Sequence, residues 1–214
     1  MKDNKYVVFD FDGTIAETIE FAVELFNKIA SEFNLSAIKE KELELIKSRN
    51  PKELLKIFGV NKLKLTLIML RLRKEMSYSI KQLDLVKGMA DSLADIKAAG
   101  YRLGILTSNS TNNVKEFLEA HHLVDAFDFI YSGKNLFGKK KVIKQMLKTE
   151  KISKKNIVYV GDEIRDVEAS KKSGIPVISV SWGLNDKNIL ASSQPNKLID
   201  KPEELLPSVV QIYE

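Results

Sequence analysis

Apolar residues gather in short runs separated by longer amphipathic stretches, and this rhythm organises most of the chain. The first run, Tyr6 to Phe9 in KYVVFDFDGTIAET, contains no charged residue. Such a run predicts a strand buried on both faces, as in a parallel sheet. Tyr101 to Thr107 (YRLGILT), Phe127 to Tyr131 (FDFIY), Asn156 to Val160 (NIVYV) and Pro176 to Trp182 (PVISVSW) resemble it. Lys197 to Asp200 adds a short edge strand. Between the strands lie segments of helical period. Met89 to Ala99 runs into Gly100 as a C-terminal cap, and Val114 to Ala120 follows the second strand. Lys141 to Lys148 and Ile164 to Lys172 come next, the latter closed by Gly174. Strands alternating with helices predict an α/β fold, a Rossmann-like parallel sheet with helices on both faces.

Residues 17 to 86 break the rhythm. Ile19, Val23, Phe26, Ala30 and Phe33 keep one apolar helical face, and Asn50-Pro51-Lys52-Glu53 reads as an N-cap, a first-turn proline and a glutamate that reaches back. Gly59 ends the helix that this signal starts. Leu63, Leu65 and Leu67, then Leu70 and Leu72, alternate with other residues in a partly strand-like way. Leucine, methionine, lysine and arginine nevertheless favour a helix, and β-branched residues are few, so Lys62 to Ser77 is assigned helical. The expected organisation is an α/β core of residues 1–16 and 87–214 carrying an inserted all-helical cap, residues 17–86.

Composition narrows the classes. A chain of 214 residues with 44% apolar and 29% charged residues can bury a core and is not disordered. The absence of cysteine excludes disulfides and thiolate metal sites. No apolar stretch approaches the ~20 residues of a membrane span, and the N-terminal MKDNK lacks a signal-peptide core. The expectation is a cytoplasmic protein with no membrane partner. A net charge of +5 invites nucleic acid as a partner. The lysines are scattered among glutamates, however, and the densest group, Lys139 to Lys141 with Lys144, has no interleaved aromatic residues for base stacking. Solvated helix faces are the better reading, and the lysine-rich surface favours a monomer or weak dimer.

The candidate chemistry sits at strand ends, where parallel α/β sheets bind ligands. The first strand runs into Asp10-Phe11-Asp12-Gly13-Thr14, the second into Thr107-Ser108-Asn109-Ser110, and the fourth into Gly161-Asp162-Glu163-Ile164-Arg165-Asp166. Phe137-Gly138-Lys139 places a lysine at a helix start, where it opposes the helix dipole. The carboxylates suit a divalent cation such as Mg2+ with its waters and substrate phosphate. The hydroxyls and free N–H groups suit an anion, and an aspartate can attack phosphorus while a second serves as acid and then base.

Taken in order, DFDGT, ILTSNS, the lysine of LFGKKKVI, and VYVGDEIRD resemble the motifs of the haloacid-dehalogenase-like hydrolases, in the phosphoglycolate-phosphatase-like branch. The resemblance covers the whole chain, helical cap included. It implies Asp10 as nucleophile and Asp12 as general acid/base. It implies phosphoryl binding by Thr107, aided by the Ser108 and Asn109 backbone, and by Lys139. It also implies Mg2+ held by Asp10, the Asp12 carbonyl and Asp162, with Asp166 a more distant or water-bridged partner. Lys140 and Lys141 compete with Lys139 for the motif position, since the usual proline after that lysine is absent.

The implied activity is Mg2+-dependent hydrolysis of a small phosphorylated metabolite. A phosphosugar mutase of the same fold is the first alternative, but Glu17 to Phe21 lacks the histidine that branch carries. A non-catalytic phospholigand-binding protein is the second, and retention of both Asp10 and Asp12 argues against it. A surface position is the rival reading for Asp166. His121 and His122 are read as helix-end or surface residues. Trp182 either lines the cleft or packs beneath the cap, and Arg49 either reaches a substrate anion or ends a helix in solvent.

Overall fold

The computed structural model describes residues 4–133 and 138–214. Its centre is a six-stranded, wholly parallel sheet: β1 (Tyr6–Phe9), β2 (Arg102–Thr107), β3 (Phe129–Ser132), β4 (Ile157–Gly161), β5 (Val177–Val180) and β6 (Lys197–Ile199). The spatial order is β3-β2-β1-β4-β5-β6, so β1 is central. Phe9 pairs with Ile105 on one side and Val160 on the other, which brings the carboxyl ends of β1, β2 and β4 level.

Alternation along the strands feeds two apolar layers. Val7, Phe9, Ile105, Val158 and Val160 face one way, while Val8, Leu106, Ile157 and Tyr159 face the other. Every one of these side chains is buried, as expected for strands covered on both faces. All six predicted strands are present, with ends shifted by a residue or two. Ser181 and Trp182 fall beyond β5.

The helices, in chain order, are α1 (Ile19–Ile29), α2 (Glu40–Lys47), α3 (Pro51–Ile57), α4 (Lys62–Met76), α5 (Met89–Ala98), α6 (Thr111–Ala120), α7 (Lys139–Thr149), α8 (Ile164–Ser173), α9 (Lys187–Ser192) and α10 (Leu205–Tyr213). Side chains of α5, α6 and α10 cover the first sheet face, and those of α7 and α8 cover the second. Helix α7 starts at Lys139, two residues earlier than its apolar period indicates.

Between β1 and β2 the described residues 17–86 are helical or irregular, with no strand. The chain enters and leaves this segment side by side. Glu17 N–H donates to the Asp84 carbonyl and Val86 N–H to the Ile15 carbonyl, both at 2.9 Å. Asn50 caps α3 by accepting from the backbone N–H groups of Lys52 and Glu53, so Glu53 joins the cap through its backbone rather than by reaching back. In α1 the most buried positions are Leu25 and Ile29, with Ala30 following in a 3-10 turn; Val23 and Phe26 of the expected face are only half-buried. The face is rotated because α1 packs against α4 as well as towards the sheet.

Helix α4 explains its own ambiguous pattern, because it carries leucines on opposite faces. Ile68, Leu72 and Met76 are buried and join the first-face core, whereas Leu63 is 71% and Leu67 50% exposed. Two overlapping leucine stripes imitate alternation. The phase of α4 can be tested by truncation. Leu72→Ala is expected to cost about 2–5 kcal/mol as a buried large-to-small change. Leu67→Ala should stay within about 0.5 kcal/mol, as exposed substitutions do. Comparable shifts of the urea midpoint for both variants would contradict this helix orientation.

Candidate active site

The sheet order reverses between β1 and β4. On one side of β1 the chain continues to β2 and β3, and on the other it returns as β4, β5 and β6. Ligands in this architecture bind at such a switch point, and Asp10 and Asp162 immediately follow these two strands. Together with Asp166, from the first turn of α8, each offers a carboxylate oxygen, and the three atoms lie within 4.8 Å of one another. All three residues are buried, and Asp162 and Asp166 are wholly inaccessible. The surface reading of Asp166 is therefore wrong. Its position in the first turn of α8 points it inward, where Oδ2 accepts from the Glu163 N–H at 3.1 Å.

Glycine makes this crowding possible. A Cβ at Gly161 would sit 2.3 Å from Asp166 Oδ2, and one at Gly183 would sit 2.3 Å from the Asp162 Cβ. Both carboxylates pack directly on main chain. Asp162 is fixed further by two donors: Thr14 Oγ1 at 2.7 Å on Oδ1 and the Leu184 N–H at 2.8 Å on Oδ2.

Lys139 supplies the opposing charge. Its ammonium donates to Asp10 Oδ2 at 2.5 Å and to Asp166 Oδ1, and it lies over the Tyr159 ring. Burial disfavours the ammonium, but Asp10 and Asp166 outweigh burial and raise its pKa well above the usual lysine range. Lys140 and Lys141 are exposed, so among these lysines only Lys139 is buried against the acids. Phe137, which precedes this turn in the sequence motif, lies outside the described residues.

Asp12 is set apart from this cluster. Its carboxylate is half-buried and accepts from Asn109 Nδ2 at 3.0 Å. Burial, then the charge of Asp10, raises its pKa to about 6, against the hydrogen bonds of Asn109 and Thr18. Its carboxyl is not one of the three clustered oxygens. Thr107 is buried, and its Oγ1 accepts the Asn109 N–H at 2.9 Å. Asn109 therefore engages Thr107 with its backbone and Asp12 with its side chain, a second link that the motif alone does not reveal. Ser108 is half-buried beside them.

Among the described residues, one ammonium, that of Lys139, is paired with two of the three carboxylates, Asp10 and Asp166. Burial pushes Asp162 well above the usual carboxylate range, with Glu163, Asp166 and Asp10 adding to it. Burial likewise raises Asp166 to about 7, although Lys139 pulls it down. An all-oxygen donor set with excess negative charge, at a strand-end switch point, fits a hard divalent cation such as Mg2+. Glu163 and Arg165 form a half-buried pair next to the cluster, with Arg165 Nε donating to Glu163 Oε2 at 2.7 Å. The sequence reading assigned neither residue a role, although Glu-Ile-Arg between two aspartates was a charge-dense signal.

The other residues singled out from the sequence lie elsewhere. Arg49 is exposed after α2 and lines a cavity of about 430 Å³ with residues of α8 and α9, among them Val167, Lys171 and Ile189. It does not join the acidic cluster. Trp182 donates its indole N–H to the Thr14 carbonyl at 3.1 Å and packs on the first-face core. His121 hydrogen-bonds the Leu83 carbonyl at 2.8 Å and packs its ring at a tilt against Phe117.

Residues 7–180 match the family model described as haloacid dehalogenase-like hydrolase. The chain belongs to this family. Its sequence is 30% identical over 206 residues to the phosphoglycolate phosphatase of Synechococcus elongatus, covering 96% of this chain and 97% of that protein. It is 28% identical over 124 residues to the phosphoglycolate phosphatase of Escherichia coli, covering 56% of this chain and 49% of that protein. These similarities put the chain in the phosphatase branch of the family, alongside the phosphoglycolate phosphatases. The fold is shared with a predicted phosphatase from Clostridium acetobutylicum, with a TM-score of 0.84 at 20% identity over 98% of this chain and 100% of that one. Among the described residues, no helix is long and apolar enough to cross a membrane.

The charge balance of the cluster can be tested without substrate. Lys139→Met removes one partner of a buried ion pair and is expected to cost about 3–5 kcal/mol of folding stability in metal-free protein. Lys140→Met, on the exposed side of the same turn, should change stability by less than about 0.5 kcal/mol. A loss below about 1 kcal/mol for Lys139→Met in urea unfolding would mean that the cluster does not depend on that ammonium.

Proposed function

We propose that this protein is a Mg2+-dependent phosphatase that hydrolyses a small phosphorylated metabolite, phosphoglycolate-like, through an aspartyl-phosphate. The observation that carries this reading is the trio of buried carboxylates around one buried lysine, with a separate, half-buried Asp12 beside them. In this reading Asp10, Asp162 and Asp166 hold the cation together with the Asp12 carbonyl. When bound, the cation draws negative charge off the phosphoryl oxygens and neutralises the cluster.

Asp10 is the proposed nucleophile. Lys139 and the Phe11 N–H hold its two carboxylate oxygens in place, the latter at 2.8 Å on Oδ1. Attack forms the Asp10–phosphorus bond and breaks the bond from phosphorus to the substrate oxygen. Asp12 gives its proton to that departing oxygen. Asp12, now a carboxylate, takes a proton from water, which attacks phosphorus, releases phosphate and regenerates Asp10. An elevated pKa suits this double duty, since the group must both give and receive a proton near neutrality. Asn109 aims the Asp12 carboxylate, and Thr107 with the Ser108 backbone and Lys139 receives the phosphoryl oxygens.

The segment 17–86 serves in this reading as a cap, a lid over the site that limits substrates to small molecules and keeps stray water from the acyl phosphate. It is docked on both rims of the site. Asn113 Nδ2 donates to the Arg73 carbonyl at 3.2 Å on one side, and the Asp186 N–H to the Lys47 carbonyl at 3.0 Å on the other.

The metal requirement has a direct assay. Excess chelator should abolish hydrolysis of p-nitrophenyl phosphate and added Mg2+ should restore it; full turnover in chelator would remove the cation from the mechanism.

The acid has a separate signature. Asp12→Asn should lower kcat on alkyl phosphates by ~10²–10⁴-fold, and the loss should shrink with aryl phosphates whose leaving groups need no proton. An equal loss across leaving groups would make Asp12 a structural residue.

A further inference from the structure

Arg73 lies in α4 and is half-buried where that helix meets the strand ends. Its surroundings set it apart from the other cations of the site. Lys139 is held by Asp10 and Asp166, and Arg165 by Glu163. Arg73 has no carboxylate within ion-pair distance among the described residues. Among the described residues its buried Nε has no hydrogen-bond partner, and Nη2 makes only a long contact of 3.5 Å to the Gly133 carbonyl. Donors buried without acceptors are costly, so a guanidinium left in this state marks a place where an acceptor is to be supplied.

The position of the guanidinium says where that acceptor comes from. Gly133 follows β3 and donates its N–H to the Thr107 carbonyl at 2.8 Å, so the Nη2 contact is made at the rim of the phosphoryl-binding loop. Met76, one turn further along α4, touches the Asn109 amide that donates to Asp12. The charge of Asp12 is also the one that acts on the Arg73 guanidinium. The backbone of Arg73 is fixed by Asn113, which donates to its carbonyl. Arg73 thus lies beside the Thr107 rim and near enough to Asp12 to feel its charge, with Nε unpaired and Nη2 only loosely held.

We infer that Arg73 is the residue that binds the carboxylate of the phosphoglycolate-like substrate. This inference rests on the phosphatase reading and adds the specificity residue. The charge arithmetic favours a carboxylate over a second phosphate, because one guanidinium neutralises one negative charge while a terminal phosphate carries nearly two. The planar fork also matches a carboxylate with two parallel N–H···O bonds. The same contact gives selectivity: a substrate without the carboxylate leaves the buried donors unpaired and is rejected. Arg73, rather than Arg49, is then the cap cation that faces the substrate.

The test compares 2-phosphoglycolate with ethyl phosphate, which has the same carbon count and no carboxylate, in wild type, Arg73→Met and Arg73→Lys. Wild type should prefer 2-phosphoglycolate. In Arg73→Met the ratio of kcat/KM for 2-phosphoglycolate to that for ethyl phosphate should fall roughly 10–100-fold, the range of a charge-assisted hydrogen bond. The loss should appear mainly in KM, and Arg73→Lys should recover part of it. An unchanged ratio in Arg73→Met overturns the inference while leaving the phosphatase reading intact, because hydrolysis itself is then seen. A wild-type preference for ethylene glycol bisphosphate that Arg73→Met abolishes reassigns the guanidinium to a second phosphate and overturns the carboxylate. Absence of hydrolysis of every phosphomonoester by wild type, with Mg2+ present, overturns the phosphatase reading and this inference with it.

Discussion

The constraint on which the rest of the structure depends is electrostatic: Asp10, Asp162 and Asp166 are crowded at the end of a buried sheet against the single ammonium of Lys139. Isolated charges cannot be buried at tolerable cost, so every neighbouring element is arranged around these groups. Parallel strands bring Asp10 and Asp162 side by side with no crossing loop between them. Glycines at 161 and 183 let main chain press on the carboxylates. Thr14, Leu184 and Glu163 supply hydroxyl and backbone donors that hold the oxygens in one orientation. What remains is a surplus of negative charge, and burial, with the neighbouring acids adding to it, holds Asp162 and Asp166 above the usual carboxylate range. A site strained in this way is ready to exchange protons for a cation, and a cluster with balanced charge would have no such tendency.

The sheet could be read from the sequence because its strands are apolar runs, buried on both faces and bounded by polar turns. The strand-end residues were legible for a related reason, since a parallel sheet converts sequence order into spatial neighbourhood at one edge. Asp10 and Asp162 could therefore be placed at the same edge from their positions after β1 and β4, and the resemblance to the hydrolase motifs set them side by side. Lys139 was readable only as one of three adjacent lysines, and burial, which no local pattern encodes, separates it from Lys140 and Lys141. Asp166 carried an ambiguous signal, because a first-turn aspartate can cap a helix in solvent as readily as it can point into a cluster.

The helical segment was less legible, and the reason is physical. Helix α4 has apolar residues on two faces, so its leucines obscure the period. Whether a cation there meets solvent or the active site depends on how the helices dock, not on their sequence. Arg49 and Arg73 look equivalent in the chain. Docking sends one to a groove beside α8 and α9 and the other to the mouth of the strand ends. Asn109 is similar: its backbone position could be inferred from the loop after β2, but the hydrogen bond its side-chain amide donates to Asp12 depends on the register between β1 and β2.

The paired crossings at Ile15–Glu17 and Asp84–Val86 bear on how such a protein diversifies. The chain leaves and re-enters the sheet at neighbouring points joined by backbone hydrogen bonds, so the excursion between them is a loop whose ends are already closed. The closure entropy of such a loop grows only logarithmically, and doubling its length costs roughly 0.6 kcal/mol. Changes of length within the segment therefore carry a small closure cost and leave the strand register in place, provided that the side chains it buries against the sheet, such as Leu72, are kept. In evolutionary terms the sheet with its acidic cluster and the helical excursion can change at different rates, the first fixed by strand register and the second tolerant in length.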